Sequence, residues 1–216
     1  MKWIAHRGNH LQTVENSMKA FENALSDIYD GCECDIRLTS DKAFIVYHDD
    51  TFKRLNGKKM KVSETTLIEA TSMTYLDDQE QTIISLEQLL KFFHQKQTYL
   101  FIEIKDKLNE CQIKSLLKLL KRYEIHYMLI SFHLEVLLQI SGFECMWLVD
   151  KMNQKVINRV SELPINHLGC NVKYMTDKRL NQAIEAGIDI SLWTVNTHQA
   201  YWSNQHVQFI TTDHKI

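Results

Sequence analysis

Cys32-Glu33-Cys34-Asp35-Ile36-Arg37-Leu38 reads as a β-strand with carboxylates on one face and thiols on the other. Successive side chains of a strand point to opposite sides, so Glu33 and Asp35 share a face. Charge inside an apolar strand is costly to bury unless it is partnered. Leu100–Ile104 followed by Lys105 repeats the design, with Glu103 and Lys105 on one face. Six further apolar runs have strand length: Trp3–His6, Met128–Phe132, Cys145–Val149, His167–Cys170, Ile190–Val195 and Gln208–Thr212. Most are nearly continuous apolar segments, as parallel strands buried on both faces should be.

Helical patterns lie between them. Val14, Met18, Phe21, Leu25 and Ile28 form one stripe. Ser85 with Gln88 resembles a capping box ahead of Leu86, Leu89, Leu90 and Phe93. Ile113, Leu116, Leu117 and Leu120 make a third stripe, and Val156, Ile157 and Val160 follow Asn153 as a cap. Leu180, Ala183 and Ile184 follow Thr176, with Gly187 placed to stop that helix. Strand and helix alternating eight times predict a TIM (β/α)8 barrel occupying residues 1–216 as a single domain. Ala43–His48 is an extra strand, expected as a hairpin partner of the second. Residues 51–82 look like a polar, irregular insertion. Four residues follow the last strand, so no final helix is expected.

Composition limits the function. Among 216 residues, 25 Lys and Arg face 27 Asp and Glu, a net charge of −2 that gives no global basic field for nucleic acid. No apolar run reaches the roughly 20 residues that span a bilayer, and residues 1–7 lack an apolar run of signal-peptide length. The five cysteines are irregularly placed and are expected as reduced thiols of a cytoplasmic protein without stable membrane association.

Polar groups cluster at strand ends as His6-Arg7-Gly8 with Glu15-Asn16, Glu33-x-Asp35, His48-Asp49-Asp50 and Glu103-x-Lys105. Any one alone is most often a turn, a solvated edge or a surface ion pair. In a barrel, however, catalytic groups sit at the C-terminal ends of strands, and here all four occur on successive ends. Three converging carboxylates suit Mg2+ or Ca2+, with Mn2+ also compatible with oxygen ligands. The two histidines suit proton exchange, and Arg7 and Lys105 suit phosphate. Asp49 and Asp50 are placed to orient His48 or shape its turn, and Asp213 to brace the first strand. Cys32 and Cys34 face the helices and pack. His133 is expected on a loop surface. His10, His94, His126, His167, His198, His206 and His214 have no evident partner and are mostly expected at the surface.

These residues resemble the signature of the glycerophosphodiester phosphodiesterase family. The likeness runs through His6-Arg7-Gly8, Glu15-Asn16, the helix with Ala20-Phe21 and Ala24, Glu33-Cys34-Asp35-Ile36, Leu38-Thr39-x-Asp41, Val46-Tyr47-His48-Asp49, Leu55 and Ile84–Leu90. It continues in Phe101–Lys105, Ser131-Phe132, Trp193-Thr194-Val195-Asn196 and Ile210–Asp213. Val14 and Ser17 stand where the family usually has Pro and Thr. The resemblance implies one divalent metal held by Glu33, Asp35 and Glu103. It implies His6 and His48 as the acid–base pair, Arg7 and Lys105 on the phosphate, Trp193 lining the pocket and Glu15 as a supporting carboxylate, either close to the metal or behind the residues that touch it. The implied reaction is metal-dependent hydrolysis of glycerophosphocholine, glycerophosphoethanolamine or similar diesters to glycerol 3-phosphate and an alcohol. The alternatives are a lysophospholipase D, a phosphodiesterase that stops at a cyclic phosphate, and a non-catalytic binding barrel. The substrate is a small-molecule phosphodiester. The groove left by a missing final helix predicts a homodimer.

Overall fold

The computed structural model describes residues 1–27, 29–197 and 206–214. Eight parallel strands close on themselves: β1 (Lys2–Ala5), β2 (Gly31–Leu38), β4 (Tyr99–Ile104), β5 (His126–Ser131), β6 (Glu144–Val149), β7 (His167–Asn171), β8 (Asp189–Trp193) and β9 (Val207–Thr212). Closure comes from β1, which pairs with β2 through Ile4↔Gly31 and with β9 from Lys2↔Phe209 to Ala5↔Thr212. β3 (Phe44–Val46) lies antiparallel on β2 as the expected hairpin.

Alternation sorts the barrel into two cores. Ile4, Phe101, Met128, Ile130, Met146, Leu148 and Phe209 fill its interior. Cys32, Cys34, Ile36, Leu100, Ile102 and Ile104 point outward into the packing of Phe21, Leu86, Leu90 and Leu116 from the surrounding helices. All five cysteines are free thiols.

The helices follow their caps. α1 (Met18–Ser26) starts at Ser17, whose side chain accepts the Ala20 N–H. This departs from the stripe drawn from Val14: Asn16 sits at φ 58°, which stops a helix from extending back, and Val14 packs elsewhere. Ile28 lies outside the described residues. α4 (Leu86–Phe93) has the Ser85/Gln88 capping box, and α5 (Glu110–Leu120) has another from Asn109 and Gln112. α7 (Gln154–Val160) and α8 (Asp177–Glu185) are capped by Asn153 and Thr176, and Gly187 follows α8 at φ 71°. The short α6 (Leu134–Leu137) was not foreseen.

Residues 51–82 correct the expectation of a polar, irregular loop. They hold two short α-helices, α2 (Lys53–Asn56) and α3 (Leu67–Thr71), a 3-10 helix at Val62–Glu64, and bridges Thr51↔Lys61 and Thr74↔Thr82. Phe52, Val62, Ala70 and Tyr75 bury with Val14, Ile45, Tyr47 and Ile83 in a core of their own. Their spacing is aperiodic, so neither helix nor strand periodicity shows it.

The description ends at His214, so the expectation of no helix after β9 falls partly on residues outside it. No described helix is long and apolar enough to cross a membrane.

Candidate active site

The strand ends at the C-terminal mouth surround a cavity of about 270 Å3 lined by His6, Arg7, Glu33, His48, Glu103, Lys105 and Trp193 among others. Seven of the nine sequence-proposed residues therefore meet in one place. Asp35 lies beneath them, and Glu15 stands behind Arg7.

The carboxylates are brought together by register. Asp35 pairs with Glu103 across β2 and β4, and Glu33 sits two residues before Asp35 on the same face. One oxygen from each of Glu33, Asp35 and Glu103 falls within 4.8 Å of the others, and all three residues are buried. Burial, then the neighbouring Asp35 and Glu103, push the Glu33 carboxyl well above its usual range. Burial and Asp35 likewise bring Glu103 to about 7. Burial would raise Asp35 too, but Arg7 and Lys105 outweigh it and hold Asp35 low. Glu33 Oε1 and Asp35 Oδ1 are buried without a hydrogen bond. An all-oxygen set with orphaned, mutually repelling acceptors fits a hard divalent cation.

The loop after β1 adopts uncommon backbone to serve this set. Arg7 has φ 55° and Asn16 φ 58°, left-handed conformations that cost roughly 1–3 kcal/mol each for non-glycine residues. In return, the Arg7 backbone N–H donates to Glu33 Oε2 at 2.9 Å. Asn16 clamps Asp35: its Nδ2 donates to Asp35 Oδ2 at 2.9 Å, and its Oδ1 accepts the Asp35 N–H at 3.2 Å. Gly8 has φ 77° and lies so close to α1 that a Cβ there would meet the Ala20 backbone at 2.7 Å. The glycine of His-Arg-Gly is thus required by both turn and approach.

Both cations already have partners. Arg7 Nε is 3.1 Å from Asp35 Oδ2, and its Nη1 donates to Glu15 Oε1 at 2.8 Å. Lys105 Nζ donates to Glu103 at 2.8 Å and lies 3.4 Å from Asp35. Burial opposes the charge on Lys105, but Asp35 and Glu103 more than offset it and raise its pKa.

Each histidine is held at Nδ1 by an aspartate. His6 Nδ1 is 2.6 Å from Asp213 Oδ1, and His6 Nε2 lies 4.0 Å from Glu33. Asn196 Nδ2 donates to the other Asp213 oxygen at 2.5 Å. Burial works against the Asp213 charge, yet the His6 and Asn196 hydrogen bonds bring its pKa well below the usual value. His48 Nδ1 is 2.7 Å from Asp49 Oδ1. Partial burial lowers the His48 pKa. The hydrogen bond from Arg54 is the main reason Asp49 stays at about 2.

Glu15 accepts from Arg7 and Arg54 and lies outside the three-carboxylate cluster, the more distant of the two places that the resemblance implies for it. The opposite wall is apolar: Ile130, Phe132, Met146, Leu148 and Trp193. Phe132 is 40% exposed and meets Trp193 edge-on with centroids 5.5 Å apart. Sequence reasoning had Trp193 lining the pocket but missed the rest of that wall, the clamp by Asn16 and the part of Arg54. Strand parity from Ser131-Phe132 and Trp193 would have exposed the wall. No periodic signal marks Arg54.

Other histidines divide. His94, His126 and His206 are exposed, while His133 is half-buried with Nε2 3.2 Å from the Lys105 carbonyl. His198 lies outside the described residues. His167 is a correction to the surface expectation: it is buried, because its side chain follows the inward face of β7, and its Nε2 is 2.7 Å from Ser191 Oγ. His10 is half-buried, its Nε2 3.8 Å from Asp213.

Comparison with known proteins shows that the fold is shared. The crystal structure of an Oleispira antarctica phosphodiesterase, titled as a complex with the product sn-glycerol-3-phosphate, superposes with TM-score 0.90 at 20% identity, covering 99% of this chain and 93% of that one. A Thermotoga maritima glycerophosphodiester phosphodiesterase gives TM-score 0.84 at 23% identity, covering 99% and 94%. A Bacillus altitudinis glycerophosphodiester phosphodiesterase is 35% identical over 111 residues, 49% of this chain and 45% of that protein, so the match spans less than half of either. The model of the Glycerophosphoryl diester phosphodiesterase family matches residues 6–215, from the first candidate histidine past the last strand. With a closed barrel and that match over almost its whole length, the chain belongs to the glycerophosphoryl diester phosphodiesterase family.

Proposed function

We propose that this barrel hydrolyses glycerophosphodiesters, such as glycerophosphocholine or glycerophosphoethanolamine, to glycerol 3-phosphate and a free alcohol. The observation that carries the reading is one cavity lined by two cations, two histidines and two of three clustered buried carboxylates, each histidine tied at Nδ1 to an aspartate. Glu33, Asp35 and Glu103 would hold one divalent cation, Mg2+ or Ca2+ with Mn2+ as a substitute. When bound, it supplies neutralisation of the diester's negative charge.

Arg7 and Lys105 hold the phosphate oxygens. The glycerol hydroxyl beside the phosphorus is the first nucleophile, because intramolecular attack avoids much of the entropy cost of bringing in water. His6 takes the hydroxyl proton at Nε2, and His48 protonates the leaving alcohol. The cyclic phosphate is then opened by water with the two roles reversed. Asp213 and Asp49 keep each Nδ1 engaged, which leaves Nε2 for proton exchange.

The test is release of glycerol 3-phosphate from glycerophosphocholine, with and without EDTA, and with Mg2+, Ca2+ or Mn2+ restored. His6→Ala and His48→Ala should each remove at least about 100-fold of kcat while the circular dichroism spectrum is kept. Near-normal turnover in either variant removes that histidine from the mechanism, and metal-independent turnover removes the metal.

A second reading has support from the apolar wall of Ile130, Phe132, Met146, Leu148 and Trp193. Such a wall suits an apolar leaving group, as in a lysophospholipid. A human lysophospholipase D is 29% identical over 131 residues, 56% of this chain and 40% of that protein. Faster turnover of lysophosphatidylcholine than of glycerophosphocholine would favour this reading.

A further inference from the structure

Arg54 lies in the 51–82 segment, next to Leu55 of the family signature, and the sequence reading gives it no role. Its guanidinium nonetheless makes two forks. Nε and Nη2 donate to the two oxygens of Asp49 at 2.7 and 3.0 Å. Nη1 and Nη2 donate to the two oxygens of Glu15 at 2.9 and 2.7 Å. Each carboxylate shares the oxygen that Nη2 holds with a second partner. Asp49 Oδ1 is 2.7 Å from His48 Nδ1, and Glu15 Oε1 accepts from Arg7 Nη1 at 2.8 Å. One planar cation thus ends two chains, Arg54–Asp49–His48 and Arg54–Glu15–Arg7.

We propose that Arg54 is a positioning residue for the reaction: through Asp49 it fixes the tautomer of His48, and through Glu15 it fixes the place of Arg7. The inference rests on the proposed diester hydrolysis for its kinetic part only.

The bland alternative is a surface ion pair worth under about 1 kcal/mol. The Arg54 side chain is 45% exposed, which suits that view, but its partners are not surface groups: Glu15 is 14% and Asp49 22% exposed. The backbone beneath Arg54 is also held. Phe52, just before α2, is fully buried. Tyr47 donates its O–H to Asn56 Oδ1 at 3.0 Å, and Asn56 Nδ2 donates to the Thr74 carbonyl at 2.7 Å. The Leu76 N–H donates to the Leu55 carbonyl at 2.8 Å. The core of the 51–82 segment therefore sets where the guanidinium stands. Both oxygens of Asp49 are occupied by Arg54, and a carboxylate so held cannot rotate away from the imidazole. Lysine cannot substitute fully, because one ammonium cannot fork two carboxylates at once.

The experiment compares wild type, Arg54→Lys and Arg54→Met, each with 15N-labelled histidine. The His48 ring signals are assigned by their loss in His48→Gln. At a pH where it is neutral, wild-type His48 should show a single tautomer protonated at Nδ1, with Nε2 open to take up the proton that its acid role then gives away. In Arg54→Met it should become a mixture with the Nε2-protonated form. With glycerophosphocholine, Arg54→Met should lower kcat about 10- to 100-fold and raise KM a few-fold, with Arg54→Lys between. In Arg54→Met/Asp49→Asn the kcat loss should be no greater than that of the more impaired single variant, because the two residues act on His48 in series. An unchanged His48 pattern in Arg54→Met overturns the inference, however far its melting temperature falls. If Arg54→Met fails to fold, Arg54→Lys carries the same comparison. If wild type hydrolyses no diester, the proposed function fails, and the nitrogen spectrum still decides whether Arg54 sets His48.

Discussion

Asp213 and Asp49 show how one residue type serves both histidines from opposite sides of the cavity. Asp213 is held by His6 and by Asn196, so replacing its charge while keeping its shape isolates the electrostatic part of the bracing. Asp213→Asn should lower kcat by about 10- to 100-fold, with little change in KM, since the aspartate touches His6 and none of the groups assigned to phosphate. Steady-state kinetics on glycerophosphocholine checks this, and a KM effect larger than the kcat effect would contradict it. The candidate residues with a strand address were legible: Glu33, Asp35, Glu103 and Lys105 follow from parity on two apolar runs. Arg54 and Asn16 were not, because their roles depend on loop conformation and on contacts across 39 and 19 positions of sequence.

Elements were legible where a cap or a continuous apolar run marked them, and illegible where the core was aperiodic. Ser85, Asn153, Thr176 and Gly187 mark helix ends that the structure has. The 51–82 segment hid its core because Phe52, Val62, Ala70 and Tyr75 follow no period. Two glycines inside strands make opposite demands. A Cβ on Gly31 of β2 would meet the Tyr99 carbonyl oxygen at 2.5 Å, and backbone has nowhere to go. Gly31→Ala should therefore destabilise by about 1–3 kcal/mol or more, read by urea denaturation. A Cβ on Gly169 of β7 would meet Leu148 Cδ2 at 2.5 Å and Met146 Sδ at 3.1 Å, the ends of flexible side chains that line the cavity. Gly169→Ala should fold, push that wall inward and raise KM several-fold. Equal loss of stability in both variants would show that the wall cannot yield.

At the scale of the molecule, the barrel buries one histidine far from the acid–base pair. Burial lowers the His167 pKa to about 4 from 6.5. Between these values the unfolded chain binds a proton that the folded one refuses, so ν_U exceeds ν_N and stability rises with pH. Acidification from about 6.5 to 4 should thus remove on the order of 3 kcal/mol through this residue. Denaturant titrations of wild type and His167→Asn at several pH values check it: the difference between them should shrink or invert toward pH 4. A parallel pH dependence in the two proteins would place the acid sensitivity elsewhere. The whole-molecule architecture was the most legible level, since alternation of strand and helix predicts closure. What the alternation did not reveal is the polar pair His167 and Ser191 among the inward-facing side chains, because a histidine in an apolar run gives no sign of which face it takes.

The bond between His6 and Asp213 joins residues 207 positions apart. The ribosome therefore finishes the three carboxylates by residue 103, well before it makes Asp213, the aspartate that braces His6. β1 likewise waits for β9 before its second edge is paired. Under the proposed function, a nascent chain holds its cation ligands well before both histidines are braced, so the order of synthesis withholds hydrolytic competence until β9 and Asp213 have been made.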